Sequence, residues 1–324
     1  MREITYSNAI KEAMEQKMRK DNKVILLGED VGIYGGGFGV TKGMINEFGK
    51  NRIRDTPISE LGFTGIAVGA ALTGLKPIVE FQFSDFILLA LDQIVNQAAK
   101  IHYMFGGKES VPLVIRTPGG SGTGAAAQHS QSLEALLTHI PGLKVIQPST
   151  SYDAKGLLLA AIDDPNPVIF YEQKLLYNIK GHVPEHPFHI PIGQAEVKRE
   201  GTDITVVATS IMVQRALIAA KELAKENISL EIIDPRTLVP LDKMSILESV
   251  KKTGHLLIVH EAVKRSGYGA EIASMVAEKG FYDLKAPIRR LGGHAVPIPS
   301  NQKLEQAAVP QIKDIIQVAR EFKI

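Results

Sequence analysis

The chain has 324 residues, enough for two domains that each bury a core of their own. Lys and Arg number 37 against 35 Asp and Glu, and the net charge of +2 gives no electrostatic grip on nucleic acid or an anionic membrane. The absence of cysteine excludes disulfides, thiolate metal sites and cysteine nucleophiles, and no apolar run approaches the ~20 residues of a membrane span.

Met1 to Thr5 contain no apolar signal region, so a cytoplasmic protein is expected. Ile10, Met14 and Met18 recur at four-residue spacing and predict an amphipathic opening helix. Val24 to Leu27, closed by Gly28, predicts a buried strand; a glycine-rich loop from Gly32 to Gly39 and a helix near Lys42 to Phe48 follow. Gly62 to Leu75 reads as a helix with Gly62, Gly65 and Gly69 on one face. Each interior glycine costs about 1 kcal/mol relative to alanine, so the stripe needs a close neighbour: the sheet of its own domain or a helix crossing at short range. Ile78 to Phe81 is the next strand, and the helix after it aligns Ile87, Leu88, Leu91, Ile94, Val95, Ala98 and Ile101. Strands at Val111 to Ile115, Lys144 to Ile146 and Pro167 to Tyr171 continue the pattern, with a helix over Tyr152 to Ile162.

From Ile179 the periodicity stops, broken by Pro184, Pro187 and Pro191. Strands then return at Ile204 to Ala208, Ser229 to Ile233, His255 to His260 and Pro287 to Leu291. Between and after them run helices at Val213 to Ala224, Gly269 to Glu278 and Val309 to Phe322. The expected fold is α/β, with a domain over 1–180, a linker over 181–197 and a second, smaller domain over 198–324. Each is expected to be a mostly parallel sheet flanked by helices.

Gly120 to Ala125 imitate a dinucleotide-binding fingerprint, but the helix and the acidic residue that such a loop needs do not follow. His182, His186 and His189 have metal-like spacing, yet the prolines among them forbid a helix to align them, and a solvated linker is the better reading. Asp55-Thr56-Pro57-Ile58-Ser59-Glu60 is more informative, because it places Glu60 at the mouth of the glycine-striped helix among Ile58, Leu61 and Phe63. An acid in apolar surroundings can keep its proton and donate it to a ligand; the plainer role is a helix-start glutamate serving the dipole or a capping box. In Ala125 to Ser132, small residues admit a ligand close to the backbone and polar groups converge on His129, either an acid–base group or a structural histidine.

At these segments the sequence resembles a known family. Leu27 to Val31, Asp55 to Glu60, Asp92-Gln93 with Asn96-Gln97, Tyr103 to Gly107, Gln128 to Ser132, Pro141 to Val145, Asp153 to Leu158 and Asp234 to Thr237 occur in order along the chain. Together they are similar to the beta subunits of the thiamine diphosphate-dependent first component of 2-oxo acid dehydrogenase complexes, including pyruvate, branched-chain and acetoin dehydrogenases. The resemblance implies a pyrimidine-binding domain followed by a transketolase-like C-terminal domain. It implies that Glu60 hydrogen-bonds a ring nitrogen of the cofactor's aminopyrimidine, and that Glu29, Gln82 and Phe86 line that ring's pocket. It implies that His129 manages protons near the substrate and the lipoyl arm, and that Leu113, Ala161, Asp164 and Asn166 form a potassium-binding loop.

The chain contains no Gly-Asp-Gly, the segment with which such enzymes hold diphosphate and Mg²⁺ through hard oxygen ligands. The resemblance therefore implies an alpha subunit that supplies both, an α2β2 assembly, and transfer of the acyl group to the lipoyl domain of an acyltransferase core. Tyr103 to Lys108, Ser84 to Phe86 and the alanines before Gln128 look more like acetoin dehydrogenase, with pyruvate next and branched-chain substrates third. Rival readings are a single-chain transketolase or deoxyxylulose phosphate synthase, disfavoured for want of a diphosphate domain, and a non-catalytic assembly subunit.

Overall fold

A computed structural model describes residues 1–322 and divides them into two compact units. Unit 1 comprises residues 1–119 and 136–192; unit 2 comprises 120–135 and the described residues from 193 on. The second unit thus includes a piece of chain that lies, in sequence, inside the first.

Unit 1 opens with β1 (Arg2–Thr5) and α1 (Tyr6–Lys20), whose first turn is capped by the Thr5 hydroxyl accepting the Asn8 amide at 3.2 Å. The predicted four-residue stripe is the buried face: Ile10, Met14 and Met18 are at most 1% exposed. There follow β2 (Val24–Gly28), α2 (Met44–Phe48), β3 (Ile53–Asp55), α3 (Glu60–Leu72) and β4 (Lys76–Glu80). A 3-10 turn over Ser84–Ala90 and a π-helix over Asp92–Ala98 lead into α4 (Ala99–Met104) and β5 (Val114–Gly119). The unit resumes within a short α5 (Glu134–Thr138), whose first two residues are counted with unit 2, and closes with β6 (Lys144–Ile146), α6 (Ser151–Asp163), β7 (Val168–Gln173) and β8 (Lys180–Val183). The parallel strands run in the order β6-β7-β5-β4-β2-β3, while β8 turns back to pair antiparallel with β1.

The sequence predicts one regular helix across residues 87–101. Instead the 3-10 segment buries Ile87 and leaves Leu88 and Leu89 exposed, and the wider winding of the π segment buries Ile94 and Ala98. The glycine stripe of α3 meets less than expected: Gly65 faces Gln93, and a side chain at Gly69 would meet nothing. The proline-broken stretch after β8 is held by a buried amine. Lys155 Nζ donates to Glu12 Oε1 at 2.5 Å and to the carbonyls of Pro184, Glu185 and His186 at 2.6, 3.0 and 3.2 Å. A segment without a strand or helix partner has its carbonyls satisfied by one side chain.

Unit 2 contains β9 (Glu196–Arg199), β10 (Ile204–Ala208), α7 (Ile211–Ala224), β11 (Leu230–Asp234), β12 (Thr237–Val239) and α8 (Lys243–Thr253). It ends with β13 (Leu256–Val263), α9 (Gly269–Lys279), β14 (Arg289–Gly293), α10 (Gln302–Ala308) and α11 (Ile312–Arg320). Its five-stranded sheet has the order β14-β13-β10-β11-β9, parallel except for β9. The closing helix expected over Val309 to Phe322 is α11, which starts only after Pro310, and a helix not expected from the sequence, α10, precedes it, started by Asn301 accepting the amides of Lys303 and Leu304 at 3.1 and 3.3 Å. Among the described residues no helix is long and apolar enough to cross a membrane.

Candidate active site

In unit 1 the parallel register aligns Gly28 with Glu80 on one side and with Asp55 on the other, so the chain leaves β2, β3 and β4 at one carboxyl edge. That edge is where open parallel sheets bind ligands. Glu29 follows β2, Gln82 lies two residues beyond β4, and Glu60 begins α3 just after β3. Asp55 ties the glycine-rich loop down by accepting the Gly32 amide at 2.6 Å. Gly36 takes φ +81°, and any side chain there would strike the Glu80 carboxyl, so a glycine is required on both counts.

Glu29 and Glu60 are each 6% exposed. The apolar neighbours expected around Glu60 divide: Phe63 is buried, whereas Ile58 and Leu61 are 86% and 48% exposed. Ser59, the residue before Glu60, caps no amide, so the helix start leaves its orphan N–H groups and positive dipole end beside the acid. Burial pushes the Glu29 carboxyl up to about 7, and the neighbouring carboxylates of Glu60 and then Asp30 add to the rise. The buried Oε1 of Glu29 has no hydrogen-bond partner. Gln82 Nε2 donates to Asp30 Oδ2 at 3.3 Å, and Phe86 packs edge-on to Phe83 with ring centroids 5.6 Å apart.

The resulting edge carries two acids driven against each other, one of them half-protonated near neutrality, with an orphaned oxygen and an aromatic wall close in sequence. It can accept and donate hydrogen bonds to the same ligand. An aminopyrimidine presents ring nitrogens that accept and an amino group that donates, so these residues fit that ring.

His129 is half-buried in the segment of unit 2 that precedes α5, where Ala126 at φ +63° turns the chain and the His129 amide donates to the Ala126 carbonyl at 3.3 Å. Two acids that the sequence reading did not single out hold this segment. The Ser121 amide donates to Glu261 at 2.7 Å, and the Gly122 and Gly124 amides to Glu305 at 2.7 and 3.1 Å. The amides that imitate a phosphate-binding loop are therefore already taken by carboxylates of the chain itself. No sequence signal marks Glu261 and Glu305, which lie more than a hundred residues away and are brought in by β13 and α10.

Glu134, 1% exposed, closes the same segment, and burial followed by repulsion from Glu261 pushes its carboxyl up to about 7 from an ordinary 4.5. The folded chain thus keeps a proton that the unfolded chain loses, so this group costs stability as pH rises from 4.5 to about 7, and fully above that. Glu134→Gln is expected to stabilise the protein by about 2–3 kcal/mol near pH 8 and by little near pH 4, as read from urea unfolding at both values. An equal effect at the two pH values would refute the assignment.

Of the residues expected to form a cation loop, all in unit 1, the Leu113 carbonyl accepts the Val168 amide at 2.9 Å and the Ala161 carbonyl accepts the Asp164 amide at 3.2 Å. The Lys144 ammonium sits on both Asp164 oxygens at 2.6 Å, and Asn166 Oδ1 is buried without a partner. Carbonyl and amide oxygens suit a hard cation, and the orphaned Oδ1 fits one, but Asp164 already has its counter-charge. Of the linker histidines, His189 is held by Asp163 at 2.8 Å. Among the described residues no three His, Asp or Glu side chains could hold a metal ion.

Comparison with known proteins gives the family and the fold. The family described as "Transketolase, pyrimidine binding domain" matches residues 2–180, and "Transketolase, C-terminal domain" matches 193–315. The chain is 50% identical to the acetoin:2,6-dichlorophenolindophenol oxidoreductase subunit beta of Bacillus subtilis, over 99% of this chain and 97% of the relative. It is 48% identical to the pyruvate dehydrogenase E1 component subunit beta of Rickettsia felis, over 98% of each. Among solved structures, a split-gene transketolase, described as an inactive beta4 tetramer, superposes with a TM-score of 0.81 at 22% identity, covering 98% of this chain and 97% of the other; that likeness shows the fold.

Proposed function

This chain belongs to the transketolase-like family of beta subunits found in acetoin and pyruvate dehydrogenases, and on that premise we propose that it completes the active site of a thiamine diphosphate-dependent dehydrogenase component. The substrate is acetoin or a 2-oxo acid, with acetoin first, pyruvate second and branched-chain acids third; the acyl group passes to a lipoyl domain of an acyltransferase core. The observation that carries this reading is the pair of buried acids at one carboxyl edge, Glu29 with an orphaned oxygen and a carboxyl raised to about 7, and Glu60 at an uncapped helix start.

When bound, thiamine diphosphate supplies the electron sink for the broken carbon–carbon bond. The chain's own residues orient and protonate. Glu60 positions a ring nitrogen, Glu29 and Gln82 hold the pyrimidine edge, Phe86 walls it, and His129 moves a proton at the substrate. Mg²⁺ and the diphosphate tail fall to an alpha subunit, because this chain has no Gly-Asp-Gly segment. Support for an α2β2 assembly comes from α3 and its surroundings, where Ile58, Leu61, Ile66, Leu88 and Leu89 leave 41–86% of their surface bare. So much exposed apolar surface on one unit marks a face that another chain covers. A potassium ion at Asn166 and a cytoplasmic setting belong to the same proposal.

The test is reconstitution with a cognate alpha subunit against acetoin, pyruvate and branched 2-oxo acids. Turnover of acetoin is expected with the pair and none with this chain alone. An active isolated chain, or an inactive pair on the whole panel, would sink the reading; an unchanged melting temperature on replacing K⁺ by Na⁺ would remove the cation.

A further inference from the structure

Unit 2 contains a cleft that the catalytic reading does not use. It opens beyond the carboxyl ends of β13 and β14, which are parallel neighbours, and has a volume of about 1230 Å³. Crevices at that end of a parallel sheet are where such folds bind ligands.

The lining is unusual in its charge. Lys264 and Arg265 come from the loop after β13, Arg290 from β14, Lys303 from α10 and Lys313 from the first turn of α11. Among the described lining residues the one acid is Asp314, and its Oδ2 is committed to the Gln311 amide at 2.7 Å in the capping box of α11. Among the described residues none of the five cations is ion-paired with a carboxylate; Arg290 instead donates to the Lys264 carbonyl at 3.3 Å. A merely solvated face mixes both signs, whereas here five cations from four elements converge on one concavity.

A buried histidine beneath the cleft registers that field. His260 is 2% exposed, and its ring is pushed down to about 4, first by burial and then by the charges of Arg290 and Lys264. The cleft also has apolar wall, from Leu291, Val309 and Val318. A ligand suited to it bears several negative charges and an apolar body. Lys and Arg grip phosphoryl oxygens by charge-assisted hydrogen bonds, and the apolar wall takes the rest.

We propose that this cleft binds a small organic polyphosphate with an aromatic or apolar body, of the nucleotide or coenzyme kind. The proposal is independent of the activity assigned above, because it needs only the folded full-length chain. The chain is titrated calorimetrically with ADP, coenzyme A and inorganic diphosphate at low salt. Saturable binding of ADP or coenzyme A is expected, tighter than that of diphosphate alone, and the two organic probes separate the nucleotide from the coenzyme. Lys264→Glu or Lys313→Glu should each weaken it about tenfold, the loss of one charge-assisted contact. Lys251→Glu, exposed on α8 and outside the cleft, makes the same change in net charge and should leave the affinity unaltered. No saturable binding up to about 1 mM would overturn the proposal. So would an equal loss in Lys251→Glu, or a glutamate-rich peptide that binds the cleft where both nucleotide probes fail.

Discussion

Glu60→Gln is expected to lower turnover of the reconstituted enzyme by about 10²–10⁴-fold, the range for loss of a positioned proton-transfer group, while leaving folding and assembly intact. The amide keeps the volume and the backbone position of the glutamate at the start of α3 but can neither share a proton nor bear the charge. The same substitution has a signature that a packing defect lacks. The Glu60 carboxylate is one of the causes that hold the Glu29 carboxyl up at about 7, so removing it should let the Glu29 value fall toward the ordinary carboxylate range. An NMR titration of carboxyl-labelled glutamates would read that fall directly in the unliganded protein. Ordinary turnover in the variant would end the catalytic assignment; a Glu29 titration that does not move would end the coupling.

Arg116→Met should cost about 3–5 kcal/mol of stability, the loss seen when one partner of a buried ion pair is removed. Arg116 is 1% exposed and stands between two acids from neighbouring strands. Its Nε and Nη2 reach Glu172 at 2.8 and 3.0 Å, and its Nη1 reaches Glu80 at 2.5 Å. The Tyr177 hydroxyl adds a hydrogen bond to Glu172 at 2.7 Å. Methionine fills the volume and leaves two carboxylates in the core without a cation. Arg116→Lys should rescue little, since a point charge cannot form the fork that meets both acids. The deficit should shrink as the pH is lowered, because burial already raises the Glu80 carboxyl and a proton can then neutralise it in place of the missing cation. Urea midpoints at two pH values check both statements, and a loss below about 1 kcal/mol would show that the cluster carries little stability. Glu80 also lies against Gly36, so loosening the cluster should loosen the loop at the proposed cofactor edge.

Much of the candidate site was legible from residues near one another in the chain. The glycine stripe announced a helix from Gly62 with Glu60 at its mouth, and the structure starts α3 two residues earlier, at Glu60 itself. The small residues before His129 marked a loop open to close backbone approach, and in the structure Ala126 takes a positive φ within it. The electrostatics was not legible, because it depends on partners distant in sequence. The acid whose upward shift stands out beside Glu60 is Glu29, thirty-one positions earlier, and nothing in either segment reveals that β2 and β3 are neighbours. Arg116, Glu80 and Glu172 look like ordinary strand-end charges until the sheet order places β4, β5 and β7 side by side.

The sequence by itself determined the α/β class and the alternation of strands with helices, because periodicity is a local record of which side of each element faces the core. It also determined the absence of a Gly-Asp-Gly tripeptide, which is read directly from residue order. Only the tertiary structure decided that residues 120–135 belong with the second unit, that Lys155 collects the carbonyls of a proline-broken stretch, and that Glu261 and Glu305 hold the loop bearing His129. The physical reason is the same in each case. A buried charge or an orphaned amide must find a partner, and which partner it finds is set by packing across the sheet rather than by separation along the chain.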